Sequence, residues 1–194
     1  MAYELVPGVT PFLETLYNRR VYQDPASTGR DSTGYRVNLG TSLDLGGVVT
    51  GSVYAGYMKQ TYTGSQYESI GGVGFGGSLL WNPTGLTSVK LNASRTIEET
   101  TTSASGYVAS NVSLRLEQEV MRSAIVYGSV GYARNDYQGT GNKDYTPKAT
   151  VGGEYDINRY FALVPEYSYS KKNSNQVDSS YPTHIVFLKL TGKI

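Results

Sequence analysis

The 194 residues carry a net charge of +1 and only 17% charged side chains, beside 18 tyrosines and 23 glycines. This balance gives no electrostatic case for a nucleic-acid partner, and the absence of cysteine excludes disulfides, thiolate metal sites and a cysteine nucleophile. No apolar stretch approaches the roughly 20 residues a membrane helix requires, and the opening Met-Ala-Tyr-Glu does not read as a signal peptide.

Alternation of apolar and polar residues runs through nearly the whole chain. A period of two sends successive side chains to opposite faces of a strand. Ten segments show it, at 3–22, 34–45, 48–62, 70–82, 86–101, 107–121, 124–137, 145–157, 160–172 and 183–194. In the second, Tyr35, Val37, Leu39, Thr41, Leu43 and Leu45 alternate with Arg36, Asn38, Gly40, Ser42 and Asp44. Segments this long exceed the roughly 5–6 residues of an average strand. They suit the roughly 9–11 tilted residues that cross a bilayer as part of a barrel.

The connections alternate as well. Gly46-Gly47, Pro83-Thr84-Gly85, Arg122-Ser123 and Asn158-Arg159 are tight, whereas 23–33, 63–69, 102–106, 138–144 and 173–182 are longer and polar. One end of the sheet therefore carries turns and the other carries loops, which predicts an up-and-down meander with an even strand number. The expected fold is all-β: a closed antiparallel transmembrane β-barrel of about ten strands, one domain over 1–194, with short periplasmic turns and long outer loops. Prolines 11, 147 and 165 fall inside segments, where each removes a ladder hydrogen bond, and are expected to mark bulges or strand ends.

Tyrosine followed two residues later by a base recurs near the loop end: Tyr17/Arg19, Tyr57/Lys59, Tyr132/Arg134 and Tyr169/Lys171, with Arg95 continuing the outward set of the fifth segment. These residues, with Trp81 at the turn end, are expected at the lipid interface as aromatic girdles and a rim facing lipopolysaccharide phosphates. The lumen-lining set on the opposite register comprises Glu14, Arg20, Arg36, Asp44, Lys90, Glu98, Arg115, Glu117, Lys148, Glu154, Glu166 and Lys189. Asp156 and Lys172 share that register. Its charges nearly cancel, so crossed ion pairs and a narrow or plugged lumen are expected.

Three segments carry a family likeness: Tyr3–Tyr22 (YELVPGVTPFLETLYNRRVY), Phe75–Leu91 (FGGSLLWNPTGLTSVKL) and Asn92–Gly106 (NASRTIEETTTSASG). With Tyr155–Lys172 and Ile185–Leu190, they make the chain resemble the putative β-barrel porin 2 family, in particular the C-terminal portion of its longer members. The resemblance implies a Gram-negative outer-membrane location, outer-membrane lipid, lipopolysaccharide and the barrel insertion machinery as partners, and passive transport through a pore. Substrate, oligomeric state and any link to export of a surface polymer are left open. The chain ends Leu188, Leu190, Gly192, Ile194, keeping the apolar register without the terminal aromatic usual in such barrels.

Catalysis has little support. The single His184 has Asp178 in the preceding loop but no nucleophile placed beside it. Gly72-Val73-Gly74-Phe75-Gly76-Gly77 matches GxGxxG, yet no helix follows. Its inward glycines at 72, 74 and 76 are expected to leave room for bulky residues opposite. The expectation is a non-enzyme without cofactor or metal. The alternative weighed is a soluble lipocalin-like barrel binding an apolar ligand, which requires the apolar register to face inward.

Overall fold

The computed structural model describes residues 6–23, 29–100 and 104–192. Ten antiparallel strands follow in chain order: β1 Val9–Arg20, β2 Ser32–Leu45, β3 Val49–Tyr62, β4 Ile70–Thr84, β5 Thr87–Glu98, β6 Gly106–Met121, β7 Ala124–Gln138, β8 Lys143–Asp156, β9 Phe161–Ser174 and β10 Tyr181–Gly192. Each pairs with its sequence neighbours in one sheet. The expected segments match these strands to within a few residues, except at the start. There Pro7-Gly8 makes a turn: Val9 N donates to Val6 O at 2.9 Å and Gly8 takes φ 79°, so β1 begins at Val9, while the expected positions 3–5 lie outside the described residues. The terminal Ile194 lies outside the described residues.

The turns follow from local chemistry. Gly46 and Gly47 adopt φ 62° and 74°, left-handed conformations that glycine enters without a Cβ penalty, in the three-residue connection 46–48. Asn158 closes the β8–β9 turn by accepting from the amides of Tyr160 and Phe161 at 2.8 and 3.0 Å. The β7–β8 connection is shorter than expected, residues 139–142, because β8 starts at Lys143.

Prolines 147 and 165 mark neither bulges nor strand ends. The β8–β9 register continues unchanged across both, with Tyr145 opposite Asn173, Lys148 opposite Ser170 and Tyr155 opposite Leu163. The ladder is interrupted around each, so both missing amides weaken the same seam. Pro11 avoids that cost. Asp44 N donates to Gly8 O, so even-numbered residues of β1 bond β2 and the nitrogen of Pro11 faces the open edge. The bulges occur beside turns instead, between Trp81 and Thr84 and between Glu119 and Met121.

The sheet is curled, with a polar concave face and an apolar convex one. In β2, Ser32, Gly34 and Asn38 are buried while Tyr35, Val37 and Leu39 are exposed. The apolar register is thus outside, opposite to the lipocalin-like arrangement. The ring expected from the sequence is not closed. Among the described residues nothing pairs with the outer edge of β1 or β10, and β10 is exposed on both faces, Ile185 by 52% and Val186 by 82%. Closure demands matched tilt and stagger throughout a sheet. Here curvature is concentrated where β2 approaches β4 and β3 approaches β5. Farther along, small concave residues such as Gly131, Ala133 and Ser170 provide little packing to draw the wall inward.

Candidate functional site

Register carries the concave face from strand to strand, so its members can be traced without ambiguity. Glu14 lies opposite Asn38, and Asn38 opposite Gly56. Asn38 is fully buried; its Nδ2 donates to Glu14 Oε1 at 3.3 Å, and Arg36 approaches the same carboxylate at 3.6 Å. Nearer the turns, Arg115 pairs with Glu117 and lies 3.7 Å over the centroid of the Tyr127 ring. The Tyr127 hydroxyl in turn donates to Glu166 at 3.0 Å. Toward the loops, Lys172 meets Asp144 at 2.9 Å. Each charge in these groups has a partner, as a confined polar surface requires.

The remaining concave charges lie outside these groups. Asp44 accepts from the Gly47 amide at 3.4 Å, and Glu98 from the Thr96 hydroxyl at 2.9 Å. Glu154 and Asp156 stand near the turn end beside Glu119 and Arg122. Lys90, Lys148 and Lys189 form no ion pair among the described residues. Of the three inward glycines, Gly72 has open space around it, Gly74 has the flexible Met58 side chain 3.3 Å from where a Cβ would lie, and Gly76 is covered by the Tyr54 ring and has no space for a side chain. Tyr127 occupies the corresponding place over Gly152.

The most consequential feature is a fork. Pairing of β4 with β5 stops at Phe75 opposite Arg95, although β4 continues with β3 to Ile70 and β5 with β6 to Glu98. Above the fork, the β5–β6 tip turns into the concave space. Ile97 and Val108 are register partners on the convex parity, yet they pack against Met58, Tyr62 and Ile70 of the β3–β4 wall. Thr96, Ile97 and Glu98 face Leu16, Asn18 and Arg20 of β1 across a cleft of about 190 Å³. Small side chains make this folding-in possible: Ala104, Ser105, Gly106 and Ala109 are all buried.

Four connections hold the tip. Arg20 Nη1 meets Glu99 Oε1 at 2.9 Å, the Tyr22 hydroxyl donates to the same carboxylate, and Arg30 Nη1 donates to Thr100 O. The Glu68 amide donates to Ser105 Oγ at 2.8 Å. Burial, then the hydrogen bond to Glu99, pushes the Tyr22 phenol up to about 12. Arg20 and Glu98 were in the expected lumen set; Glu99, Tyr22, Arg30 and Asp144 were not. The adjacent pair Glu98-Glu99 was the available signal, because the outward member of such a pair needs a cation once its strand tip turns inward.

On the convex face, Tyr17, Arg19, Tyr57, Lys59, Tyr132, Arg134, Tyr169, Lys171 and Trp81 share one register. Tyr57 lies 6.4 Å from Tyr35 and Tyr132 lies 6.3 Å from Tyr145, ring centre to ring centre. Arg134 is bound to Asp136 at 2.9 Å. Arg95 is at the base of the fork, its Nη1 3.5 Å from Ser110 Oγ and its Nε buried without a partner. His184 is engaged by neighbours, its Nδ1 2.8 Å from the Tyr167 hydroxyl and its ring 5.0 Å from that of Tyr169. Among the described residues no acidic, histidine or cysteine cluster could hold a metal.

Comparison with known families matches residues 1–194, the whole chain, to a family described as putative beta-barrel porin 2. No curated protein matches.

Proposed function

Because the chain belongs to the putative beta-barrel porin 2 family, we propose that it forms a porin-like barrel wall in a Gram-negative outer membrane, with a lumen narrowed at the loop end. One observation carries this reading: away from the loop-end rim, a single register across ten strands keeps charged residues on the concave face and leaves Leu13, Leu39, Val73, Val130, Val151 and Leu190 exposed on the convex one. A water-soluble monomer rarely presents so continuous an apolar surface, whereas hydrocarbon is its natural solvent.

In that setting the convex tyrosines and Trp81 form the girdles, and the bases beyond them meet lipopolysaccharide phosphates. The concave charges named above line the passage. In lipid, the open edges of β1 and β10 would each leave backbone groups unbonded, at several kcal/mol apiece. Insertion therefore requires those edges to be paired, by ring closure in the membrane with the help of the barrel insertion machinery. The inward β5–β6 tip restricts the passage to small solutes.

The test is refolding in detergent followed by insertion into a planar bilayer. Uniform conductance steps support the pore. Silence, with folding verified by a heat-dependent gel shift, supports a plugged structural wall. Failure to fold in detergent while remaining soluble without it overturns the membrane reading.

A further inference from the structure

One register row crosses the entire concave face from Thr10 on β1 to Thr183 on β10. Through the middle it reads Ser78, Asn92, Ser113, Gly131, Lys148 and Ser170, each opposite the next. Along all ten strands the row contains hydroxyls, one amide, one glycine and a single charge, Lys148. Thr10 lies near the turn end of its strand and Thr183 near the loop end of its own. The stagger of the strands therefore carries this row along the height of the wall, and a solute passing from one end to the other must cross it.

At the centre of the row the wall is hollowed. A groove of about 560 Å³ is bounded by Tyr54 and floored by the small residues of β5–β7, with Ser94, Asn111, Thr146 and Lys148 along it. No carboxylate lines it. The nearest acids on the same face are already engaged, Asp144 by Lys172 and Glu166 by Tyr127. Lys148 has no ion-pair partner among the described residues, and hydroxyls and amides from Asn92, Ser94, Asn111, Ser113 and Thr146 share the groove with small apolar residues such as Gly131 and Ala133. Lys148 is exposed in this open groove, and an ammonium beside several neutral donors is suited to a small anion and repels a cation. Lys90, two residues from Asn92 on the same face and next to Arg115, adds positive charge on the turn side.

Resting on the porin-like reading, we infer that this groove is an anion step, centred on Lys148, that takes chloride or a small carboxylate in transit and makes the passage anion-selective.

The experiment measures reversal potential across a potassium chloride gradient with the full chain in a planar bilayer. The native protein is expected to favour chloride by roughly threefold, Lys148→Gln to approach equal permeability, and Lys148→Glu to favour potassium. Arg159→Gln, in the β8–β9 turn and stacked on Tyr160, controls for a general charge effect and should leave the ratio unchanged. A native ratio near one, or a ratio indifferent to both Lys148 variants, overturns the inference while leaving the pore intact. Absence of any conductance overturns the pore reading instead. The site is then judged by NMR of ¹³C-methylated lysines in detergent, titrated with acetate. A saturable shift of the resonance missing from Lys148→Gln supports it, and no shift refutes it.

Discussion

Arg20 and Glu99, separated by 79 positions in the chain, meet at 2.9 Å and tie the loop end of β1 to the tip that continues β5. The contact joins strands four places apart in the sheet, so it exists only because the tip has left the wall and entered the concave space. Glu99→Gln should therefore loosen the tip with little effect on the rest of the sheet. A part-buried charge-assisted bond of this kind is worth about 1.5–3 kcal/mol at most. Hydrogen exchange should accelerate for amides between Ile97 and Ala109 and stay unchanged in β8 and β9. Equal acceleration in both regions would refute a local latch.

The same carboxylate makes the tip sensitive to alkali. Tyr22 has its pKa raised from 10.0 to about 12, first by burial and then by its bond to Glu99. A raised phenol keeps its proton longer when folded, so between those values the folded state binds more protons than the unfolded one. Its contribution is complete below pH 10 and is lost as pH rises toward 12. Protection of the tip should fall across this window in the native protein. Tyr22→Phe should flatten that dependence, as seen by hydrogen exchange or protease cleavage after correction for the intrinsic pH trend.

If the tip narrows the passage, shortening it should widen the passage. Replacing residues 99–105 by a two-residue Asn-Gly turn leaves the paired part of β5–β6 in place. Single-channel conductance should rise severalfold, and larger neutral polymers should enter. Unchanged conductance would mean that the restriction lies elsewhere.

Glycines within the strands should differ sharply in tolerance, concave Gly56 from convex Gly128. A Cβ on Gly56 would press against the backbone carbonyl of Val37 and against Asn38, which has no exposed surface. One on Gly128 meets its nearest atom, Thr150 O, only at 3.9 Å. Gly56→Ala should cost about 1–3 kcal/mol through strain in the β2–β3 pair, whereas Gly128→Ala should be close to neutral. Denaturant titration of the detergent-folded protein separates the two.

The convex face offers a depth test. Val130→Lys places a cation at mid-wall and should cost about 2–4 kcal/mol in a bilayer, against about 0–1 for a base near the rim. Replacing Arg19, Lys59 and Lys171 together by glutamate should instead slow insertion into vesicles containing lipopolysaccharide. If Val130→Lys folds into vesicles as readily as the native chain, the convex face does not meet lipid.

The strands, their order and the two faces were legible because they depend on local causes. Alternation with period two sorts side chains by face, and Gly46-Gly47 or Asn158 supplies turn chemistry within a few residues. Antiparallel neighbours then inherit each other's parity, so Glu14, Arg115 and Lys148 could be placed on one face without coordinates. Events between nonadjacent strands were not legible. The fork above Phe75 and Arg95 lets Ile97 and Val108 exchange an outer position for contacts with Met58, Tyr62 and Ile70. That exchange depends on the shape of a distant wall, which no local period encodes. It made Glu99, outside the expected lumen set, the partner of Arg20, and removed Arg95 from the regular convex surface. Prolines 147 and 165 teach the same lesson: the chain shows which amides are missing, but only the assembled sheet shows that both face one seam. Alternation determined what each strand turns inward and outward. Tertiary packing decided how far the sheet curls, where it splits and which inward charges meet, because curvature sums contacts over all ten strands.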